Sequence, residues 1–180
     1  MLSPETSAIN SWKLEPVQKN EGIMSASKVQ YVLQGFDFRK LGFNWDGKWK
    51  LLSQIISTDY LQTRIRVIGG AYGGYSVLSK NGTLYLASYR DPNLSETLAN
   101  FEGTADYLSS FDADTTAMSR YIIGTVANID SPFTPSEKGD QAFRWHFEKI
   151  AESDIQADRD AVLATTATDI RNMSTLIRRV

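Results

Sequence analysis

The chain has 180 residues, 42% hydrophobic and 22% charged, with a net charge of −2, one histidine and no cysteine. That length suits one domain with a sizeable core, and the absence of cysteine excludes disulfides, thiolate metal sites and a cysteine nucleophile. The balanced charge, with a pI near 5.4, excludes electrostatic capture of nucleic acid or an anionic membrane, and no apolar run approaches the roughly 18 residues of a membrane span.

Residues 1–26 are polar and turn-rich, with Trp12 the one aromatic side chain, and read as a lead-in segment. The opening MLSPETSAINSWKLEP has no basic region followed by an apolar one, so no secretory signal is expected. In KVQYVLQGF, Val29, Tyr31 and Leu33 alternate with Lys28, Gln30 and Gln34, the period of a half-buried strand over 28–34 with the apolar set inward. A long helix is predicted over 46–66, its broad apolar face carrying Trp49, Leu52, Ile56 and Tyr60, widened by Leu51, Ile55, Leu61 and Ile65. Gly69 and Gly70 stop it. Strands follow over 71–79 and 83–90, joined at Asn81-Gly82, a dipeptide that favours a type I′ turn. Asn93 and Glu96 suggest a capping box opening a helix to about Leu108. Asp112 or Asp114 caps the next helix, which carries Met118, Tyr121, Ile122 and Val126. Thr134-Pro135-Ser136-Glu137 is a full capping box with proline at the first helical position, and the helix behind it carries Phe143, Trp145 and Phe147. Short helices near 155–164 and 168–178 close the chain. The order of elements predicts an α+β fold, an antiparallel-rich sheet covered by helices on one face.

Chemistry is narrowly placed. His146, in the aromatic run FRWHFEK, is the only histidine, so a zinc site would have to be completed by carboxylates, and a packed or surface histidine is the simpler reading. A Ser-His-Asp triad would rest on the same residue, with no G-x-S-x-G elbow beside it. RVIGGAYGGYS is glycine-rich, but a phosphate loop runs from strand into helix, whereas here a helix runs in and a strand runs out. Its plain reading is a tight turn needing Gly69 and Gly70. That turn brings Arg66, in the last helical turn, and Tyr72, at the start of the strand, to one end of the sheet. A guanidinium and a phenol make a donor pair suited to a peptide carbonyl or a developing oxyanion. A helix-end arginine favoured only by the helix dipole is the alternative.

The segments NEGIMSASKVQYV, STDYLQTRIRVIGGAYGG, SYRDPNLSETL, YLSSFDADTTAMSRYIIGTVANIDSPFTPSEKG and TTATDIRNM, in that order, resemble the C-terminal domain of presequence proteases. These belong to the insulinase/pitrilysin superfamily of zinc metallopeptidases and include the falcilysin relatives. The resemblance runs from about Asn20 to near the end. It implies a four-domain enzyme whose halves close around an unfolded peptide, with an H-x-x-E-H zinc motif in the N-terminal half. It also implies that the C-terminal half supplies an arginine and a tyrosine to the active site on closure; the matching positions here are Arg66 and Tyr72. The expectations are therefore a C-terminal metallopeptidase-like domain over 27–180, a fragment of a longer chain lacking a final strand. Zinc is expected in the full-length enzyme and none on this chain. The expected partners are the N-terminal half and unfolded peptides, not nucleic acid or membrane. The compartment implied is the cytoplasm for a bacterial protein and an organelle matrix such as the mitochondrial one for a eukaryotic protein, without secretion. A non-catalytic peptide-binding or structural subunit of the same superfamily is the second reading.

Overall fold

The computed structural model describes residues 20–179, so the larger part of the lead-in segment, Trp12 included, lies outside the described residues. The elements are β1 (Gln30–Asp37), a single 3₁₀ turn at Phe38–Leu41, a long helix α1 made of an α-helical part (Trp49–Ile55) and a π-helical part (Ile56–Ile68), β2 (Gly73–Leu78), β3 (Thr83–Asp91), α2 (Ser95–Glu102), α3 (Thr104–Ser109), α4 (Thr115–Ile129), α5 (Pro135–Glu148), α6 (Glu152–Leu163), α7 (Ala167–Asn172) and α8 (Ser174–Arg178). The three strands form one antiparallel sheet in the order β1-β3-β2. The α+β class and the antiparallel sheet are as the sequence predicts.

Helix α1 lies along β2 and covers the inner face of the sheet, and α4 packs on α1. Trp49, Leu51, Leu52, Ile55, Ile56, Tyr60, Leu61 and Ile65 of α1 are all buried, with Phe38 meeting Trp49 edge-on at 4.7 Å between ring centres. From Ile56 onward the helix is π-helical, which the sequence reading took for a plain α-helix. The buried positions carry the reason. In Trp49–Ile55 they fall three or four apart, whereas Ile56 and Leu61, and Tyr60 and Ile65, are five apart, so a wider turn is needed to keep both pairs on the core.

The sheet's inner face is set by Val32 and Phe36 of β1, Ser76 and Leu78 of β2, and Leu84, Leu86 and Ser88 of β3. This reverses the expected orientation of β1. Tyr31 and Leu33, predicted to point inward, are 73% and 65% exposed, while Val32 is buried at 4%. The outer face is thus open and rich in tyrosine. No described helix covers it, so period-2 alternation alone picked the wrong side.

Two turn assignments change. The β2–β3 hairpin is a three-residue loop, not a type I′ turn: Gly82 N–H donates to the Ser79 carbonyl, Ser79 N–H donates to that of Thr83, and only Gly82 has positive φ, at +98°. The side chain of Asn93 does not cap α2. Its amide donates to the Gly69 carbonyl, and its own N–H is held by Asp91. The helix predicted to run to Leu108 is also interrupted at Gly103, where a Cβ would stand 2.7 Å from the Tyr60 hydroxyl. The other caps follow the sequence: Asp114 accepts from Ala117 N–H, and Thr134 with Glu137 forms the capping box of α5. Helix α5 buries none of its residues.

Candidate functional site

The end of α1 and the start of β2 carry the residues that the sequence marks as a candidate site. The helix closes at its C-terminus by two hydrogen bonds, Gly70 N–H to the Arg66 carbonyl and Ala71 N–H to the Ile65 carbonyl, each 3.1 Å. The pattern is that of a Schellman closure, one residue wider to suit the π-helical pitch. Gly70 has φ of +75°, the left-handed backbone that glycine adopts without strain. Gly69 is there for room: a Cβ on it would lie 2.7 Å from the Ile65 carbonyl oxygen. Asn93 clamps the turn from outside through the Gly69 carbonyl. Asn93 is held in turn by Asp91, a fully buried carboxylate that also accepts a 2.6 Å hydrogen bond from the Thr97 hydroxyl.

Beyond the turn, Tyr72 N–H donates to the Tyr89 carbonyl at 3.0 Å, so Tyr72 extends the edge of the sheet. Its side chain is 62% exposed. The Arg66 guanidinium carbon lies 5.6 Å from the centre of the Tyr72 ring, a cation–π distance. Among the described residues, Arg66 has no carboxylate within ion-pair reach. A rigid turn therefore holds a phenol and an unpaired guanidinium side by side at the open end of the sheet. Both groups are hydrogen-bond donors, and among the described residues Arg66 is in no ion pair.

Neighbours that the sequence reading did not single out extend this site. Tyr89 meets Tyr72 edge-on at 5.4 Å between ring centres and Tyr31 at 5.2 Å, forming a row of three tyrosines across the outer face. Arg90 places its guanidinium carbon 5.8 Å from the centre of the middle ring, that of Tyr89. The signal was present in LYLASYRD, where Tyr85, Ala87 and Tyr89 share one face. It was missed because the face carrying Tyr31 was assigned to the core.

The residues present do not fit a zinc ion. Among the described residues no three His, Asp or Glu side chains converge to hold a metal. His146 is exposed in the last turn of α5, its ring against that of Phe147 at 5.6 Å between centres. The buried carboxylate of Asp158, with Lys80 at 3.1 Å, Lys50 at 3.7 Å and the Trp45 indole N–H at 3.0 Å, ties α6 to α1, the hairpin and the loop before α1. It is fully partnered, and it serves the fold.

Comparison with known proteins identifies the domain. Residues 20–180 match the family model described as the PreP C-terminal domain. The chain is 35% identical over 167 residues to Protein HypA of Clostridium perfringens, covering 93% of this chain and 17% of that protein. It is 33% identical over 179 residues to Presequence protease 1, chloroplastic/mitochondrial, of Arabidopsis thaliana, covering 98% of this chain and again 17% of the relative. A mitochondrial presequence protease of Xenopus tropicalis is 34% identical over 125 residues, 69% of this chain and 12% of that one. Among solved structures, a protein from Bordetella pertussis Tohama I designated a zinc protease superposes with a TM-score of 0.56 at 16% identity, over 74% of this chain and 79% of that one, a likeness of fold. The chain thus spans about one sixth of the length of the first two relatives. With the match running from the first described residue to the last, this chain belongs to the PreP C-terminal domain family, a family of peptidase domains.

Proposed function

We propose that this chain is the substrate-facing C-terminal part of a zinc metalloendopeptidase that degrades unfolded peptides, and that Arg66 and Tyr72 bind the carbonyl oxygen of the peptide bond being cut. The observation that carries the reading is the pairing of an exposed phenol with an unpaired guanidinium on a turn locked by Gly69, Gly70 and Asn93. Hydrolysis of an amide turns its carbonyl oxygen into an oxyanion. Donors already aimed at that oxygen stabilise it without reorganising during the reaction. The Tyr72 hydroxyl would give one short hydrogen bond, and the Arg66 guanidinium a charge-assisted one. The ring beneath Arg66 restricts its guanidinium, so less freedom is lost when substrate arrives.

The described residues bring together no set of side chains that could hold a metal. Zinc belongs, on this reading, to an N-terminal half of the same protein. The open sheet face supports that arrangement, because a face bearing Tyr31, Leu33, Tyr72 and Tyr75 toward solvent suits the wall of a chamber that takes extended peptides.

The test is steady-state kinetics on the full-length protein. Tyr72→Phe removes one hydroxyl from an exposed ring, so the fold survives. If the hydroxyl serves the oxyanion, kcat and kcat/KM fall together by roughly 10²–10³. Arg66→Ala lowers both and also raises KM, and the two losses add incompletely because both donors serve one charge. Wild-type turnover in Tyr72→Phe would end the catalytic role of Tyr72, whereas no turnover in the wild-type full-length protein would leave a non-catalytic peptide-binding or structural subunit.

A further inference from the structure

The strand β3 breaks its own alternation just where it passes the site. Ser88 and Asp91 are both buried, so the two residues between them cannot alternate regularly. The register shows the same break: Val32 pairs with Ser88 but Gln30 pairs with Asp91, leaving one extra residue in β3 opposite Tyr31. That residue pair is Tyr89–Arg90, and Arg90 carries φ of +50°. A non-glycine residue in the left-handed region is uncommon, and such bulges gather beside functional sites, where they re-aim a side chain. In an unbroken strand the residue after Tyr89 would point to the inner face, among the core side chains beneath α1. The bulge turns Arg90 out instead, with its guanidinium against the Tyr89 ring.

Like Arg66, Arg90 has no carboxylate within ion-pair reach among the described residues. The nearest acid in sequence, Asp91, is buried and committed to Asn93 and Thr97. Two guanidinium groups without a carboxylate partner among the described residues therefore flank an edge-to-face tyrosine pair, Tyr72 and Tyr89. We propose that Arg90 is a substrate-binding residue that takes a carboxylate of the bound peptide, either an acidic side chain or the C-terminal carboxylate. This rests on the reading that Arg66 and Tyr72 hold the scissile carbonyl. The planar fork of the guanidinium matches a carboxylate with two parallel hydrogen bonds. Tyr89 sets the spacing: its ring centre is 5.4 Å from that of Tyr72 and 5.8 Å from the Arg90 guanidinium. An extended peptide advances about 3.4 Å per residue, so the carboxylate belongs two or three residues from the scissile bond.

Three peptides of one sequence separate the sources: Glu at that position with an amidated C-terminus, Gln with a free C-terminal carboxylate two or three residues from the cut, and Gln with the amide. Binding is read by fluorescence anisotropy on the full-length protein with chelator present, so that no turnover intervenes, and KM is read separately without it. Wild type should bind one of the two carboxylate peptides about 10-fold more tightly than the neutral one, as a charge-assisted pair allows. Arg90→Asn, which tolerates the left-handed backbone, should abolish that preference, and Arg90→Gly should do the same should the asparagine variant melt early. Equal affinity of wild type for all three peptides, or a preference that survives in both variants, would overturn the proposal. Tyr72→Phe run in parallel distinguishes the two readings. Full turnover in that variant with an Arg90-dependent preference sinks the oxyanion role and keeps the subsite; lost turnover with no preference does the reverse.

Discussion

Gly69 and Gly70 stand side by side for different reasons, and single substitutions should separate them. Gly70 sits at φ +75°, so Gly70→Ala carries the left-handed penalty of about 1–2 kcal/mol. Gly70→Asn should cost less, because asparagine visits that region more readily. Gly69 has ordinary backbone angles, and there asparagine brings no relief: any Cβ runs 2.7 Å into the Ile65 carbonyl, which is backbone and cannot swing aside. Urea denaturation of the four variants, Ala and Asn at each position, checks this. An asparagine that rescues position 69 as well as position 70 would show that angle, not room, governs both. At this scale the sequence was informative about which residues the turn brings together. The Gly-Gly pair, Arg66 and Tyr72 could all be marked from spacing. It was silent on Asn93 and Asp91, because a side chain that clamps a carbonyl 24 residues away leaves no local pattern. It was silent on Arg90 for a related reason: the bulge is a property of the pairing between β1 and β3, not of β3 alone.

Among elements, the close approach of β2 to α1 fixes how the site end of the sheet meets its helix. Gly74 faces the helix, and a Cβ there would lie 3.1 Å from Ile65 Cβ and 3.3 Å from Leu61 Cβ. Gly74→Ala should therefore cost about 1–3 kcal/mol by overpacking. Gly73, with nothing within 4 Å of its added Cβ, should accept alanine with a change of a few tenths of a kcal/mol at most, set by strand propensity. Thermal melts of the two variants compare them directly. Equal losses at 73 and 74 would mean the helix does not rest on the strand there. Elements were legible where one residue type settles a local choice, as with the capping box at Thr134–Glu137 and the N-cap at Asp114. They were misjudged where tertiary context decides. The helix over 46–66 was found but not its π-helical half, whose signature is a five-residue spacing easily absorbed into a broad apolar face. The strand over 28–34 was found with its faces exchanged, because Tyr31 and Leu33 look like core and are held in solvent. That inversion is itself informative: large apolar residues kept outward on an open sheet need a reason, and the peptide-facing wall proposed above is one.

Across the whole molecule, ion pairs fasten late helices onto early ones, and they make a defined acid response. Lys48, just before α1, donates to Asp169 of α7 at 2.9 Å, while Asp169 also receives the Thr166 backbone N–H and hydroxyl. Burial pushes the Asp169 carboxyl up, but the hydrogen bonds from Lys48 and Thr166 outweigh it and leave the group below its ordinary value. Hydrogen bonding to the Arg39 guanidinium lowers Asp37, and the Thr134 backbone N–H lowers Glu137. All three are carboxylates with a folded-state pKa depressed relative to the unfolded chain. Each therefore contributes stability that is fully present above the unfolded values of about 4 and is lost as pH falls through the lower, folded ones. These groups predict urea midpoints that hold level from pH 7 to about 5 and then drop below about pH 4. Asp169→Asn isolates the tie between the start of α1 and α7: it should be less stable than wild type at pH 7, since it removes the charge facing Lys48. Its deficit should shrink as pH falls below about 4, because the wild-type carboxyl is then being protonated and loses the same interaction. Midpoints of both proteins across that range decide the matter. A deficit that stays constant down to pH 3 would mean the asparagine disturbs packing around α7, and that the Lys48–Asp169 pair is not what holds the C-terminal helices to α1.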